Sequence, residues 1–299
     1  MTLLAIIIAL SLGHFLGHVQ ELRQFGWFER LSGWVQTNFK AGGEWNGAAG
    51  VLLAVIPPVL VVALVQDGLD EGLLGFLGFV FAVLVLLYTL GPRDLDQDAE
   101  TYIDALETGD EEKARRSARA ILETEPPEQA GERTRLVADT LLVKANEAVF
   151  AVLFWFALLG PAGAVLYRLA WVLKEKAGVP AEEAGAFAVA AGRLHGILAW
   201  LPARLLAVGY ALVGSFEEAI HAWRNYRDRW SDRFGDSNVG VLVCAGNGAL
   251  HRSVERDAPV EDSVELGVEW IRGVLGLIWR TLVLWVTVIA LLTLAGWAS

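Results

Sequence analysis

The sequence predicts an all-α, polytopic helical membrane protein, and three observations support this fold class. The 299 residues are 55% hydrophobic, with a mean hydropathy of +0.44, which is apolar for a soluble domain. Twelve tryptophans suit the two membrane interfaces. Four stretches lack Asp, Glu, Lys and Arg, and each has about the 20 residues that a helix needs to cross roughly 30 Å of hydrocarbon. They are residues 45–66, 72–92, 148–167 and 281–299.

About six helices are expected to cross or re-enter the membrane. Pro57-Pro58 should kink the second helix because proline lacks a backbone donor, and Gly160-Pro161 lies near the middle of the fourth. The fifth contains Pro202 and charged side chains, and the sequence leaves open whether it crosses or re-enters. The expected segments are residues 3–19, 49–66, 73–90, 146–172, 193–214 and 274–297.

Charge patterning divides the chain into three regions: 1–92 with the first three spans, a soluble insert at 93–144, and a membrane core at 145–299. The insert is expected to be an α-helical hairpin, since its apolar residues follow helical spacing. It carries eight Lys or Arg residues, whereas the 67–71 turn has none. The positive-inside rule therefore places the insert in the cytoplasm, where it offers a candidate surface for a cytoplasmic protein partner.

An amphipathic helix is predicted near residues 215–230. Ser215 and Glu218 form a capping box at its start. Arginines alternate with aromatic residues along it, so the helix should lie in the interface over anionic headgroups of the lipid bilayer. These arginines are Arg224, Arg227, Arg229 and Arg233.

Several functional classes are disfavoured by composition and motif. A net charge of −11 argues against a nucleic-acid partner. The single cysteine, Cys244, cannot form an internal disulfide or build a zinc site alone. The glycine-rich run 245–248 lacks the lysine of a phosphate-binding P-loop and is expected to be a loop or a helix break. No catalytic residue, metal site or cofactor is predicted.

The candidate site consists of charged residues in apolar surroundings, because charges at membrane depth usually face a partner or a water-filled cavity. Arg193 and Arg204 are three helical turns apart, with Trp200 on the same face. Two interpretations stay open: a cleft for an anionic small molecule, or structural pairing with a carboxylate such as Glu147. Arg168 lies near a span end, where snorkelling is the simple expectation. The hypothetical ligand-binding set is Arg193, Arg204, Arg168, Trp200, His195 and Glu147.

Two long stretches resemble the AmpE family. They are NEAVFAVLFWFALLGPAGAVLYRLA, from Asn146, and AGRLHGILAWLPARLLAVGYALVGSFEEAIHAW, from Ala191, and YTLGPRDL at 88–95 also fits. This resemblance implies a multi-pass protein of the bacterial inner membrane that modulates β-lactamase induction during cell-wall stress. It favours a non-catalytic signalling protein.

AmpE in turn is similar to the CobD/CbiB membrane synthases of cobalamin biosynthesis. That resemblance is carried by Ala151–Trp155, the Gly-Pro turn near 160, Leu166-Tyr167-Arg168 and the run 191–205. It implies an ATP-dependent enzyme that joins an aminopropanol, or its phosphate, to adenosylcobyric acid. Carboxylates expected at matching positions for Mg²⁺ are replaced, for example in Arg193-Leu194-His195-Gly196. The synthase is therefore the alternative function, beside a transporter of an anionic solute built on broken helices.

Overall fold

The computed structural model describes residues 2–15, 25–38, 44–70, 75–91, 95–177, 185–229, 236–252 and 263–295. All regular structure within these ranges is helical, which confirms the all-α prediction. The α-helices are α1 Thr2–Phe15, α2 Gly26–Asn38, α3 Glu44–Asp70, α4 Gly75–Thr89, α5 Leu95–Glu107, α6 Glu111–Leu122, α7 Ala130–Ala145, α8 Ala151–Ala177, α9 Ala186–Val213, α10 Phe216–Arg229, α11 Ser237–Ala249 and α12 Val264–Leu294. A π-helical turn, Asn146–Phe150, joins α7 to α8.

The polytopic membrane character is confirmed by the length and composition of these helices. Four helical stretches of the described residues are long and apolar enough to cross a bilayer: Gly47–Leu69, Ala130–Lys176, Ala186–Val213 and Val264–Leu294. Two shorter apolar helices, Thr2–Gly13 and Gly75–Thr89, accompany them. Large apolar side chains such as Leu60 and Leu64 are more than half exposed on α3. Such a surface suits hydrocarbon rather than water.

The fourth predicted span, residues 146–172, reverses direction instead of crossing the membrane once. Gly160 adopts φ +67° and ψ −156° inside α8, a backbone conformation that favours glycine. Lys174 Nζ lies 2.7 Å from Glu147 Oε1, although 27 residues of straight helix would separate them by about 40 Å. The segment 147–177 is therefore a tight hairpin of two helical arms. Hydropathy could not reveal this, because both arms are apolar and the break is a property of one glycine.

The turn of this hairpin is held by α3. The backbone N–H of Ala162, at the start of the second arm, donates to Gln66 Oε1 at 3.4 Å. That N–H has no partner within its own helix, because it belongs to the first turn after the break. A side-chain amide from a neighbouring span therefore satisfies a group that hydrocarbon would leave unpaired.

The chain folds into two compact units. One consists of residues 1–92, 147–201 and 286–299, and the other of residues 93–146 and 202–285. In the first unit, α8 packs against α3 and α4, and α2 packs against α3. Its apolar core includes Phe28, Val51, Val55, Leu169 and Leu173, all buried. This packing fixes both arms of the hairpin.

In the second unit, most residues of α7 are buried, and the helix packs against α5, α6 and α11. Arg133 is fully buried and pairs with Glu111 at 2.8 Å. The Tyr102 hydroxyl hydrogen-bonds Thr134 Oγ1 at 2.9 Å, and burial raises the pKa of Tyr102 above its ordinary value. The apolar stripe of the insert thus packs against a helix that also buries paired polar groups.

The glycine-rich run 245–248 is the last turn of the buried helix α11, so its prediction as a loop or helix break was wrong. A Cβ at Gly248 would lie 2.7 Å from the Glu218 carbonyl oxygen, and one at Gly246 would lie 2.6 Å from the Leu142 side chain. The glycines therefore permit close helix packing. Asn247 in the same turn donates to Asp139 Oδ1 at 2.7 Å and accepts from Trp270 Nε1 at 3.2 Å.

Pro202 lies inside α9 and leaves the Leu198 carbonyl, four residues earlier, without its helical donor. The Trp155 indole N–H fills this gap by donating to the Leu198 oxygen at 3.0 Å. A tryptophan on the first arm of the hairpin thus compensates for a proline on α9.

Trp155→Phe should lower the free energy of unfolding by about 1–2 kcal/mol, because it leaves that carbonyl unpaired. In a Pro202→Ala background the backbone N–H is restored. Trp155→Phe should then lower the free energy of unfolding by clearly less. Unfolding of the four proteins in a double-mutant cycle measures this coupling. Equal costs in the two backgrounds would contradict the compensation.

Candidate ligand-binding site

A charged cluster lies at the open end of the hairpin. The Glu147 carboxylate accepts from Lys174 Nζ at 2.7 Å on Oε1 and from Trp171 Nε1 at 3.3 Å on Oε2. The side chains of Glu147 and Lys174 are 15% and 33% exposed. This ion pair therefore lies at a partly exposed edge of the first unit. Glu147 belongs to the π-helical turn, a distortion that is frequent at functional sites.

Arg168 forms the buried floor of this cluster. Its Nε donates to the Thr89 carbonyl at 2.6 Å, and Nη2 lies 3.4 Å from the carbonyl oxygens of both Glu147 and Ala148. The guanidinium carbon lies 4.9 Å from the Trp171 ring centroid, within cation–π range. Since Arg168 is 1% exposed, it does not snorkel as expected. Carbonyl oxygens at the end of α4 and in the π-helical turn hold it inside, and sequence periodicity cannot identify them.

His195 reaches the same cluster from α9. Its Nε2 lies 3.2 Å from the Tyr167 hydroxyl, and the ring is 2% exposed. It interacts electrostatically with Lys174, Glu147 and Arg168. The structure thus brings together three residues of the hypothetical set, namely Glu147, Arg168 and His195.

Sequence reasoning missed two members of the cluster, Trp171 and Lys174. Both follow Arg168 at three-residue spacing, which places the three on one side of the second arm. That pattern was available in the sequence. The reversal at Gly160 is what brings Glu147 next to Arg168, Trp171 and Lys174.

The other predicted site residues lie elsewhere on α9. Arg193 is exposed, and Trp200 is 53% exposed. Arg204, in the second unit, donates to Asn238 Oδ1 and to Ser237 Oγ, the latter at 3.2 Å. The cleft built on Arg193 and Arg204 stays a prediction, and Arg204 has polar partners at the start of α11.

The described residues do not fit a Mg²⁺ site of the kind an ATP-using synthase implies. They contain no group of three or more His, Cys, Asp or Glu side chains that would hold a metal ion. Glu147 is a single carboxylate with an N–H donor on each oxygen, whereas Mg²⁺ prefers an octahedron of oxygen ligands. No catalytic step is therefore assigned to a metal held by these side chains.

Comparison with known proteins identifies the family. The family model described as CobD/CbiB protein matches residues 6–266. The cobalamin biosynthesis protein CobD of Stutzerimonas stutzeri is 33% identical over 252 residues, which cover 83% of this chain and 80% of the relative. That of Chromobacterium violaceum is 36% identical over 208 residues, 69% of this chain and 63% of the relative.

The same name is carried by a Klebsiella pneumoniae relative, 24% identical over 84% of this chain and 78% of its own length. No solved structure matches. The AmpE assignment gains no support from these matches, which agree instead with the second resemblance. The motifs around Ala151–Trp155 and 191–205 lie within the matched region. The chain belongs to the CobD/CbiB protein family.

Proposed function

We propose that this chain is an amide-forming synthase of cobalamin biosynthesis, embedded in the bacterial inner membrane. It would join an aminopropanol, or its phosphate, to adenosylcobyric acid at the expense of ATP. The observation that carries the proposal is the family match over residues 6–266, with relatives named cobalamin biosynthesis protein CobD along most of the chain. The apolar helices support the membrane location.

The charged cluster supports the same chemistry. An amide synthase must bring an amine to the carboxyl group of its second substrate, and its reactants carry both signs of charge. The cluster offers one carboxylate, Glu147, beside the cations Lys174 and Arg168. Burial of Arg168 and His195 next to the partly exposed ion pair strengthens electrostatic interactions there, because the effective dielectric is lower than in water.

The test is synthesis by the purified full-length chain in nanodiscs with adenosylcobyric acid, aminopropanol phosphate and Mg-ATP. We expect mass spectrometry to detect the amide, and we expect the gene to restore cobalamin synthesis in a bacterium that lacks its own CobD. Thr101→Ala, on the exposed side of α5, should behave as the parent protein.

No amide and no complementation by a correctly folded protein would overturn the synthase. A deletion strain that retains cobalamin synthesis but loses inducible β-lactamase would favour the signalling function instead.

A further inference from the structure

We propose that the Glu147 carboxylate is the subsite for the ammonium end of the amine substrate, and that Lys174 occupies it as an internal stand-in when no amine is bound. The inference rests on the proposed function, and it assigns Glu147 to the amine substrate of the proposed synthase. Trp171 and Arg168 act as positioning residues for this carboxylate.

The geometry shows which interaction a ligand would replace. Each oxygen of Glu147 has one donor: the Lys174 ammonium at 2.7 Å on Oε1 and the Trp171 indole N–H at 3.3 Å on Oε2. A primary ammonium carries the same charge and the same three N–H donors as a lysine side chain. The ammonium of a ligand can therefore replace that of Lys174 on Glu147 Oε1, while the Trp171 indole N–H keeps its hydrogen bond to Oε2.

The two sides of the ion pair differ in mobility. Lys174 is one-third exposed on a flexible four-carbon stem, so it can leave Glu147 without opening the apolar core. Glu147 cannot follow it. Its backbone carbonyl lies against the buried Arg168, which is also bonded to Thr89, and its side chain is held by Trp171.

The donors around Glu147 also define the class of ligand. A divalent cation would need several oxygen ligands, and the cluster provides one carboxylate surrounded by N–H donors. An ionised carboxylate only accepts hydrogen bonds, so Glu147 itself offers a simple anion no donor. The arrangement fits a small primary amine, and the Lys174 ammonium, once displaced from Glu147, can pair with a phosphate at the other end of such a molecule.

The experiment is calorimetric titration of the full-length chain in nanodiscs with 1-amino-2-propanol, and with 1,2-propanediol as the matched probe without an amine. The parent protein should bind the amine and not the diol. Glu147→Gln should weaken amine binding by about thirtyfold or more, because a charge-assisted hydrogen bond is lost. Lys174→Met should strengthen it by about tenfold, because no ammonium has to be displaced.

Thermal unfolding of each variant separates this role from a structural one. If the ion pair were purely structural, its loss would lower the melting temperature of both variants. Amine affinity would then change in the same direction in Glu147→Gln and in Lys174→Met. If Glu147→Gln does not fold, Glu147→Asp keeps the charge but withdraws it by one methylene, and it should bind the amine several-fold more weakly. Unchanged or weaker amine binding by a folded Lys174→Met protein would contradict the claim that Lys174 occupies the amine position on Glu147.

The inference and the proposed function can fail separately. Amine binding with this pattern but no amide product would overturn the synthase and leave an amine-binding membrane protein. Amide formation by Glu147→Gln with an unaltered KM for the amine would overturn the subsite and leave the synthase in place.

Discussion

Gly163→Ala should destabilise the protein by about 3 kcal/mol or more, because an added Cβ at this position would clash with the backbone of the other arm of the hairpin. A Cβ at Gly163 would lie 2.9 Å from the carbonyl carbon of Trp155 and 2.7 Å from Leu159 Cβ. A backbone carbonyl cannot rotate away as a side chain can. The arms would have to separate, which would also disturb the Trp155 bond to Leu198. Thermal unfolding of the purified protein in nanodiscs measures the loss.

Gly192→Ala on α9 is the matched control. Apart from the local backbone of α9, no atom lies within 4 Å of a Cβ built there, and alanine favours a helix over glycine by about 1 kcal/mol. This variant should be as stable as the parent or slightly more so. If the two substitutions had equal effects, the close packing of the hairpin arms would be refuted.

Arg168→Met should cost about 3 kcal/mol or more, because it removes the donor to a set of buried carbonyl oxygens. These belong to Thr89, Glu147 and Ala148, which come from two different parts of the first unit. Methionine preserves much of the volume, so the loss reports the hydrogen bonds and the charge rather than a cavity. Arg168→Lys should recover only part of it, since a lysine has no planar fork of donors.

The control is Arg193→Met, the same change at an exposed arginine of α9. Exposed substitutions of this kind usually alter stability by less than about 0.5 kcal/mol. Equilibrium unfolding of the three variants beside the parent tests the contrast. A cost for Arg193→Met as large as that for Arg168→Met would contradict the buried role of Arg168.

The helical membrane fold could be predicted from the sequence without any tertiary information. Charge-free stretches such as 45–66 and 72–92 have the length of a span and need no partner to be recognised. The insert helices were also foreseeable, since Leu95, Ala99, Tyr102, Ile103 and Leu106 follow one face. Resemblance in the runs 151–168 and 191–205 pointed to the correct family as the second of two similar groups. These signals are local, so they can be recognised without knowledge of the fold.

The reversal within residues 147–177 and the set of residues that form the charged cluster could be found only from the tertiary structure. One backbone conformation at Gly160 turns an apolar stretch back on itself and brings Glu147 to Lys174 across 27 residues. The partners of Arg168 are carbonyl oxygens, one of them 79 residues away. Every residue carries such an oxygen, so no residue type or spacing marks those of Thr89, Glu147 and Ala148 as the ones that bind Arg168. Those positions are fixed by how helices end and pack, and the fold alone determines them.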